Sequence, residues 1–193
     1  MGNRVGRSAS LADLTYPSFL LDATRDLSRV PTGASVTPSS SRFHTFSTEM
    51  TAPGDATEFR RLAHRLLTGE VHRAAGAPLV EYRNPSPSRI MLGDIVTITF
   101  WGLRAPCLVL EAGVETLKDS GAQRVRLVYG TLPSHMECGE EAFELTYRNG
   151  VLTARVVAFS RAAKWYTRCG GPVARFVQRV MARRYAEALI GKR

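Results

Sequence analysis

The 193-residue chain has no run of about 18 apolar residues, which excludes an α-helical membrane span on length alone. Cysteine is scarce: Cys107, Cys138 and Cys169 stand 31 residues apart and form no CxxC pair. An odd, sparse set argues against a disulfide framework and a structural zinc site, so no metal is expected. Cys107 reads as strand filler, Cys138 and Cys169 as loop or turn thiols. His135 lies three residues from Cys138, but a nucleophile and its base are placed by the fold and not by sequence adjacency. The GxGxxG, Walker A, GxSxG and HExxH patterns are all absent. Nucleotide-dependent chemistry and the familiar hydrolase arrangements therefore have no support, and no cofactor is expected.

Acidic residues are also in short supply, 17 against 26 Lys and Arg, for a net charge of +9. Such an excess can attract nucleic acid, an acidic partner or an anionic membrane surface. The aromatic residues are not interleaved with the basic ones as stacking platforms for single strands require, so no nucleic acid is expected. The opening Met1-Gly-Asn-Arg-Val-Gly-Arg7 has no apolar signal-peptide core, and Gly6 stands where a myristoylation signal wants Ser or Thr. The expected compartment is the cytoplasm.

The length suits one domain. Residues 1–13 read as a disordered tail and 14–193 as a single domain. Leu14-Thr-Tyr-Pro17 and Phe19-Leu-Leu21 carry enough apolar weight to dock on the body. Arg42–Ser47 alternates like a strand, with Phe43 and Thr45 on one face, His44 and Phe46 on the other. Asp55-Ala-Thr-Glu58 opens a helix that the spacing of Phe59, Leu62, Leu66, Val71 and Ala74 carries to a stop at Gly76. His64 falls on its outer face, while His72 is a candidate for the interior. Strands follow at Asp94–Trp101, Ala105–Glu111 and Arg124–Gly130. Gly170-Gly171-Pro172 then opens a long terminal helix with an apolar stripe of Val173, Phe176, Val177, Val180, Met181, Tyr185 and Leu189. Arg175, Arg179 and Arg183 line another face, read first as solvated.

The strongest local signal is Glu141–Phe159, where Asn149-Gly150 is the preferred two-residue hairpin turn because both positions need positive φ. That turn fixes a register in which Tyr147 faces Leu152, Leu145 faces Ala154 and Phe143 faces Val156, all on a core face. Glu144 faces Arg155 and Thr146 faces Thr153 on a solvated one. The same parity points Glu141 to the buried side and Glu140 outward. The expected class is α+β, a curved antiparallel sheet packed against the long C-terminal helix and enclosing an apolar pocket.

What remains for chemistry is the polar link between two strands: Tyr129, Thr131, His135, Glu137, Glu140 and Glu141. A histidine titrates near neutral pH and a desolvated carboxyl can serve as an acid, although the same residues are compatible with an exposed β-connection. Ser160-Arg161 can bind an anion or cap a turn.

Several motifs resemble one family. They are Tyr129-Gly-Thr-Leu-Pro-x-His135, Glu137, Gly139-Glu-Glu-x-Phe143, Ala158-Phe-Ser-Arg161, Trp165, Gly171-Pro172-Val-Ala-Arg-x-x-Gln178, Arg184-Tyr185 and Leu14-Thr-Tyr-Pro17. The series is similar to the DUF1990 (UPF0548) family over most of residues 14–190. The resemblance implies a helix-grip fold of the Bet v 1/START type with an apolar cavity. It also implies kinship with proteins of polyketide biosynthesis, including a spiroketal synthase of the reveromycin type, which closes a dihydroxyketone with loss of water. It assigns no catalytic residues. The expected function is thus a cofactor-independent cyclase with Glu141, His135 and Tyr129 as catalytic groups. Thr131, Glu137, Trp101, Tyr147, Trp165, Ser160 and Arg161 are expected to contact a small hydrophobic, polyketide-like substrate. The alternatives are a non-catalytic binder of hydrophobic ligands and a basic surface-binding protein.

Overall fold

A computed structural model describes residues 9–32, 42–82, 89–100, 102–163 and 171–192. Asn149 and Gly150 both take positive φ, 49° and 81°, as a two-residue hairpin whose twist matches its strands requires. They join β6 (Glu137–Arg148) to β7 (Val151–Ala162) in the expected register, Tyr147 opposite Leu152 and Phe143 opposite Val156. Around this hairpin the other strands assemble antiparallel: β1 (His44–Pro53), β2 (Leu79–Tyr82), β3 (Ile95–Phe100), β4 (Leu103–Thr116) and β5 (Gln123–Thr131). The seven run in the order β1-β7-β6-β5-β4-β3-β2, so the first strand of the chain pairs with the last. Between β1 and β2 lie α1 (Ala56–Leu67) and α2 (Glu70–Ala75), and α3 (Gly171–Leu189) follows β7.

One face of the sheet packs on these helices. Val125, Leu127, Phe143, Leu145 and Val156 meet Leu62, Leu66 and Val71 of α1 and α2, and Ala182, Ala186 and Leu189 of α3. At roughly 1.5–3 kcal/mol for each fully buried large aliphatic or Phe side chain, this layer is the main source of stability. A curved antiparallel sheet closed around a C-terminal helix is the helix-grip arrangement, an α+β fold. Among the described residues no helix is long and apolar enough to cross a membrane.

Three details depart from the sequence reading. The helix expected from Asp55 to Gly76 is two helices, because Gly69 takes a left-handed φ of 77° and turns the chain between them. The short β2 carries too few residues for its period to show. On α3, Phe176 is 62% exposed while Ala182, Ala186 and Ala188 are buried. The small residues let the helix sit close to the sheet, so the seam runs along the alanines and not through Phe176.

The largest departure is on the outer face, expected to be solvated. Residues 11–29 form four successive 3-10 turns. This strap buries Tyr16, Leu20, Ala23 and Val30 against Phe43, Cys138 and Phe159. Its anchor is Glu140, pointing outward as the register requires but only 2% exposed. The Glu140 carboxylate accepts hydrogen bonds from the Tyr16 hydroxyl at 2.9 Å, the Asp22 amide at 3.0 Å, the Thr24 amide at 3.2 Å and the Thr24 hydroxyl at 2.5 Å. Beside it buried Arg126 donates to Thr24 Oγ1 at 2.9 Å and pairs with Glu111 at 2.6 Å and Asp22 at 3.3 Å. A buried charge is tolerated only when its hydrogen-bonding capacity is filled, and four donors meet that condition here.

Tyr16→Phe removes one donor to a buried carboxylate while keeping the ring against Phe159. It is expected to lower the unfolding free energy by about 1.5–3 kcal/mol, read as a lower urea midpoint at unchanged slope. An unchanged midpoint would mean that the hydrogen bond from the Tyr16 hydroxyl to Glu140 contributes no stability.

Candidate functional site

On the inner face Glu141 pairs across the ladder with Tyr129, and on its other side with Ala158. The floor beside it is aromatic: the rings of Tyr129, His72, Phe143 and Tyr185 lie with centroids 4.6–5.9 Å apart. Unlike Glu140, Glu141 keeps part of its surface open, and among the described residues nothing donates a hydrogen bond to its carboxylate. Apolar surroundings, and then the charge of Glu137, push its carboxyl up to about 8 from an ordinary 4.5. Near neutral pH it therefore carries a proton. Burial, and next the Glu141 charge, in turn raises the Cys107 thiol and the Tyr185 hydroxyl above their usual ranges. These groups are inert thiol and phenol, not anions.

Glu137 lies on the same face as Glu141, with Gly139 between them. Gln178 Nε2, carried over the sheet by α3, donates to Glu137 Oε1 at 2.6 Å and to Ser160 Oγ at 3.2 Å. Burial raises the Glu137 carboxyl, while the Ser160 and Gln178 hydrogen bonds pull it back. The inner face thus carries two carboxyls in different surroundings, one starved of donors and one supplied with them.

Other sequence-predicted residues are placed differently. His135 is committed to its own turn, its Nδ1 accepting from the Glu137 amide at 2.9 Å. Burial lowers it to about 4, so it is neutral at physiological pH and does not titrate near 7 as expected. Thr131 holds the strap, its hydroxyl 2.6 Å from that of Thr15 and bonded to the Gly139 amide at 2.9 Å. Arg161 is on the outer face, its guanidinium 5.0 Å from the centre of the Phe43 ring. Tyr147 faces inward but packs near Phe59, six positions along β6 from Glu141, about 20 Å at strand spacing. Cys138 donates to the Thr15 carbonyl at 2.8 Å on the strap side, in keeping with a structural thiol. Trp101 and Trp165 lie outside the described residues. Glu141, Tyr129, Glu137 and Ser160 are thus brought to one face, and Thr131, His135, Arg161 and Tyr147 are not joined to them.

Sequence reasoning missed Gln178 as a site residue, although it stands in the Gly171–Gln178 motif. It also missed an outer-face groove of about 570 Å³ lined by Leu11, Leu21, Leu108, Leu110 and Val128, with Glu140 among its walls. Asp22, Arg25 and Glu111 also line it, and the Glu140 carboxylate there is filled with donors. His72, a candidate for the interior from its place on the helix, does face inward. It is fully buried, lowered to about 3 by burial, and neither ring nitrogen has a hydrogen-bond partner among the described residues.

Residues 24–188 match a family described as "Domain of unknown function (DUF1990)". The chain belongs to the DUF1990 family. No curated protein matches it in sequence. Among solved structures, a hypothetical protein of Helicobacter pylori, jhp0584, is 12% identical with a TM-score of 0.53, over 77% of this chain and 87% of that one. This likeness shows the fold alone. Norcoclaurine synthase from Thalictrum flavum, in complex with dopamine and hydroxybenzaldehyde, is 8% identical at a TM-score of 0.44, over 78% of this chain and 88% of its own. TTHA0849 from Thermus thermophilus is 15% identical at 0.41, over 76% and 94%. Both of these superpose less well than the Helicobacter protein.

The folded chain keeps the Glu141 proton up to about pH 8, while the unfolded carboxyl releases it near 4.5. The folded state therefore binds more protons across that window, and stability falls as pH rises through it. Glu141→Gln is expected to flatten this slope between about pH 5 and 8, measured by urea unfolding at several pH values. Parallel slopes for the two proteins would show that the Glu141 carboxyl is not raised.

Proposed function

We propose that this DUF1990 protein is a cytoplasmic, cofactor-independent cyclase that closes a hydrophobic, polyketide-like dihydroxyketone to a spiroketal. The observation that carries the reading is the Glu141 carboxyl: on a half-buried residue, raised by apolar surroundings, and set beside aromatic walls. Spiroketal formation needs an acid to protonate the ketone oxygen and, after one hydroxyl has added, to help that oxygen leave as water. A carboxylic acid that keeps its proton at neutral pH supplies both steps without a metal or cofactor. The apolar face beside it supports the expected ligand class. Holding both hydroxyls over one carbonyl supplies proximity and fixes the face of attack. Family membership itself assigns no activity, and the spiroketal reaction enters through the resemblance of the motifs.

The purified chain is expected to convert a dihydroxyketone to one spiroketal stereoisomer, followed by chiral chromatography. Glu141→Gln should lower kcat/KM by about 10²–10⁴-fold, and wild-type rate should fall above about pH 8 as the acid loses its proton. Equal rates and product ratios for the two proteins would remove Glu141 from the chemistry. Tight ligand binding without turnover would instead favour a carrier of hydrophobic molecules. Affinity for an anionic surface that falls steeply with salt would favour the basic-surface reading.

A further inference from the structure

Glu137 and Glu141 share the inner face of β6 two alternations apart, and only one of them is held by donors. Gln178 Nε2 sits 2.6 Å from Glu137 Oε1 and 3.2 Å from Ser160 Oγ. Three elements thus converge on one carboxylate: β6 provides it, β7 provides the serine, and α3 provides the amide. None of them reaches Glu141. The same α3 also lays Tyr185 against Phe143, at a centroid distance of 4.6 Å. Its seat on the sheet therefore sets both the Gln178 contact and the wall beside Glu141.

We infer that Glu137 is the general base that partners Glu141, and that Gln178 is a positioning residue that holds the Glu137 carboxyl and fixes its orientation. This deepens the cyclase reading and rests on it for the identity of the substrate. The division of roles between the two carboxyls, however, belongs to the structure alone.

The chemistry balances over two half-reactions. In the first, the Glu137 carboxylate takes the proton of one substrate hydroxyl as its oxygen bonds to the ketone carbon. The ketone oxygen takes the Glu141 proton, and a hemiketal results. The proton now on Glu137 returns to Glu141 through water, which restores the pair for the second half-reaction. In the second half-reaction Glu141 protonates the hemiketal hydroxyl, which leaves as water. The second hydroxyl bonds to the same carbon and gives its proton to Glu137. One further return resets the pair. The sum is dihydroxyketone to spiroketal plus water, with nothing oxidised or reduced.

The polar groups on this face among the described residues include Tyr129 from β5, Cys107 from β4, Ser160 from β7, Gln178 and Tyr185 from α3, His72 from α2 and, exposed at the edge, His44 from β1, which pairs with Ser160. Burial holds His72 neutral and keeps the Cys107 thiol and Tyr185 phenol protonated. The Glu137 charge adds to the rise of Glu141, and the Ser160 and Gln178 hydrogen bonds draw Glu137 back.

Carbon-13 NMR of glutamate-labelled protein titrated from about pH 3 to 10, with Glu137→Gln and Glu141→Gln to assign the resonances, tests this without any substrate. Glu137 is expected to ionise at lower pH than Glu141, and Gln178→Leu to move the Glu137 midpoint up toward that of Glu141. Gln178→Glu, which replaces the donor by a third carboxyl, should move it further. With substrate, Gln178→Leu should shift the acid limb of the kcat/KM profile upward, and Gln178→Asn should restore part of it. Circular dichroism melts identify any variant that fails to fold. A Glu137 midpoint above that of Glu141, or one unmoved in folded Gln178→Leu, overturns the assignment whether or not the chain turns over a dihydroxyketone. The expected order of ionisation together with absent turnover would retain the pair and overturn only the cyclase reading.

Discussion

Strand alternation at a single step of β6 organises this molecule. Successive side chains of a strand point to opposite faces, so neighbouring Glu140 and Glu141 cannot share an environment. Glu140 turns outward under the N-terminal strap and receives four hydrogen bonds. Glu141 turns inward against an aromatic floor, and its carboxyl is raised to about 8. The same chemical group is filled with donors at one position and, among the described residues, receives none at the next, where burial raises it.

That alternation is held in place from both sides. The Asn149-Gly150 turn fixes the register of β6 against β7, and a slip of one residue would exchange the two glutamates. The strap opposes such a slip, because Tyr16, Asp22 and Thr24 present donors at one place only. Gly139 adds a further constraint: a Cβ there would run into the carbonyl oxygen of Phe159. The backbones of β6 and β7 therefore approach closely at the step before the two glutamates. On the inner side, α3 sits close through Ala182, Ala186 and Ala188 and delivers Gln178 to Glu137. Strap, hairpin and helix thus converge on one short stretch of one strand.

Much of this was legible in the residues. The hairpin register, the inward direction of Glu141 and the closing helix followed from turn chemistry and periodicity, which are local properties. Alternation says which face a side chain takes but not what covers that face, so Glu140 read as solvated. Its cover is a run of 3-10 turns with no apolar period to recognise. His135 looked like a proton carrier because its ordinary titration is near neutral, yet its Nδ1 is engaged by a backbone amide only two residues away. Arg161 and Thr131 adjoin site residues in sequence, and parity or tertiary pairing takes them elsewhere. Gln178 stands 41 positions from Glu137, and no spacing rule spans that interval. Only the crossing of α3 over β6 joins them.

A crystal structure of the chain soaked with a spiroketal product tests the central claim most directly, namely that the inner face beside Glu141 is where a ligand meets an acid. The account predicts the ligand between β6 and α3, with an oxygen at about 2.6–3.2 Å from the Glu141 carboxyl. A ligand seated only in the outer groove against Leu110 and Val128, with the Glu141 face untouched, would contradict it.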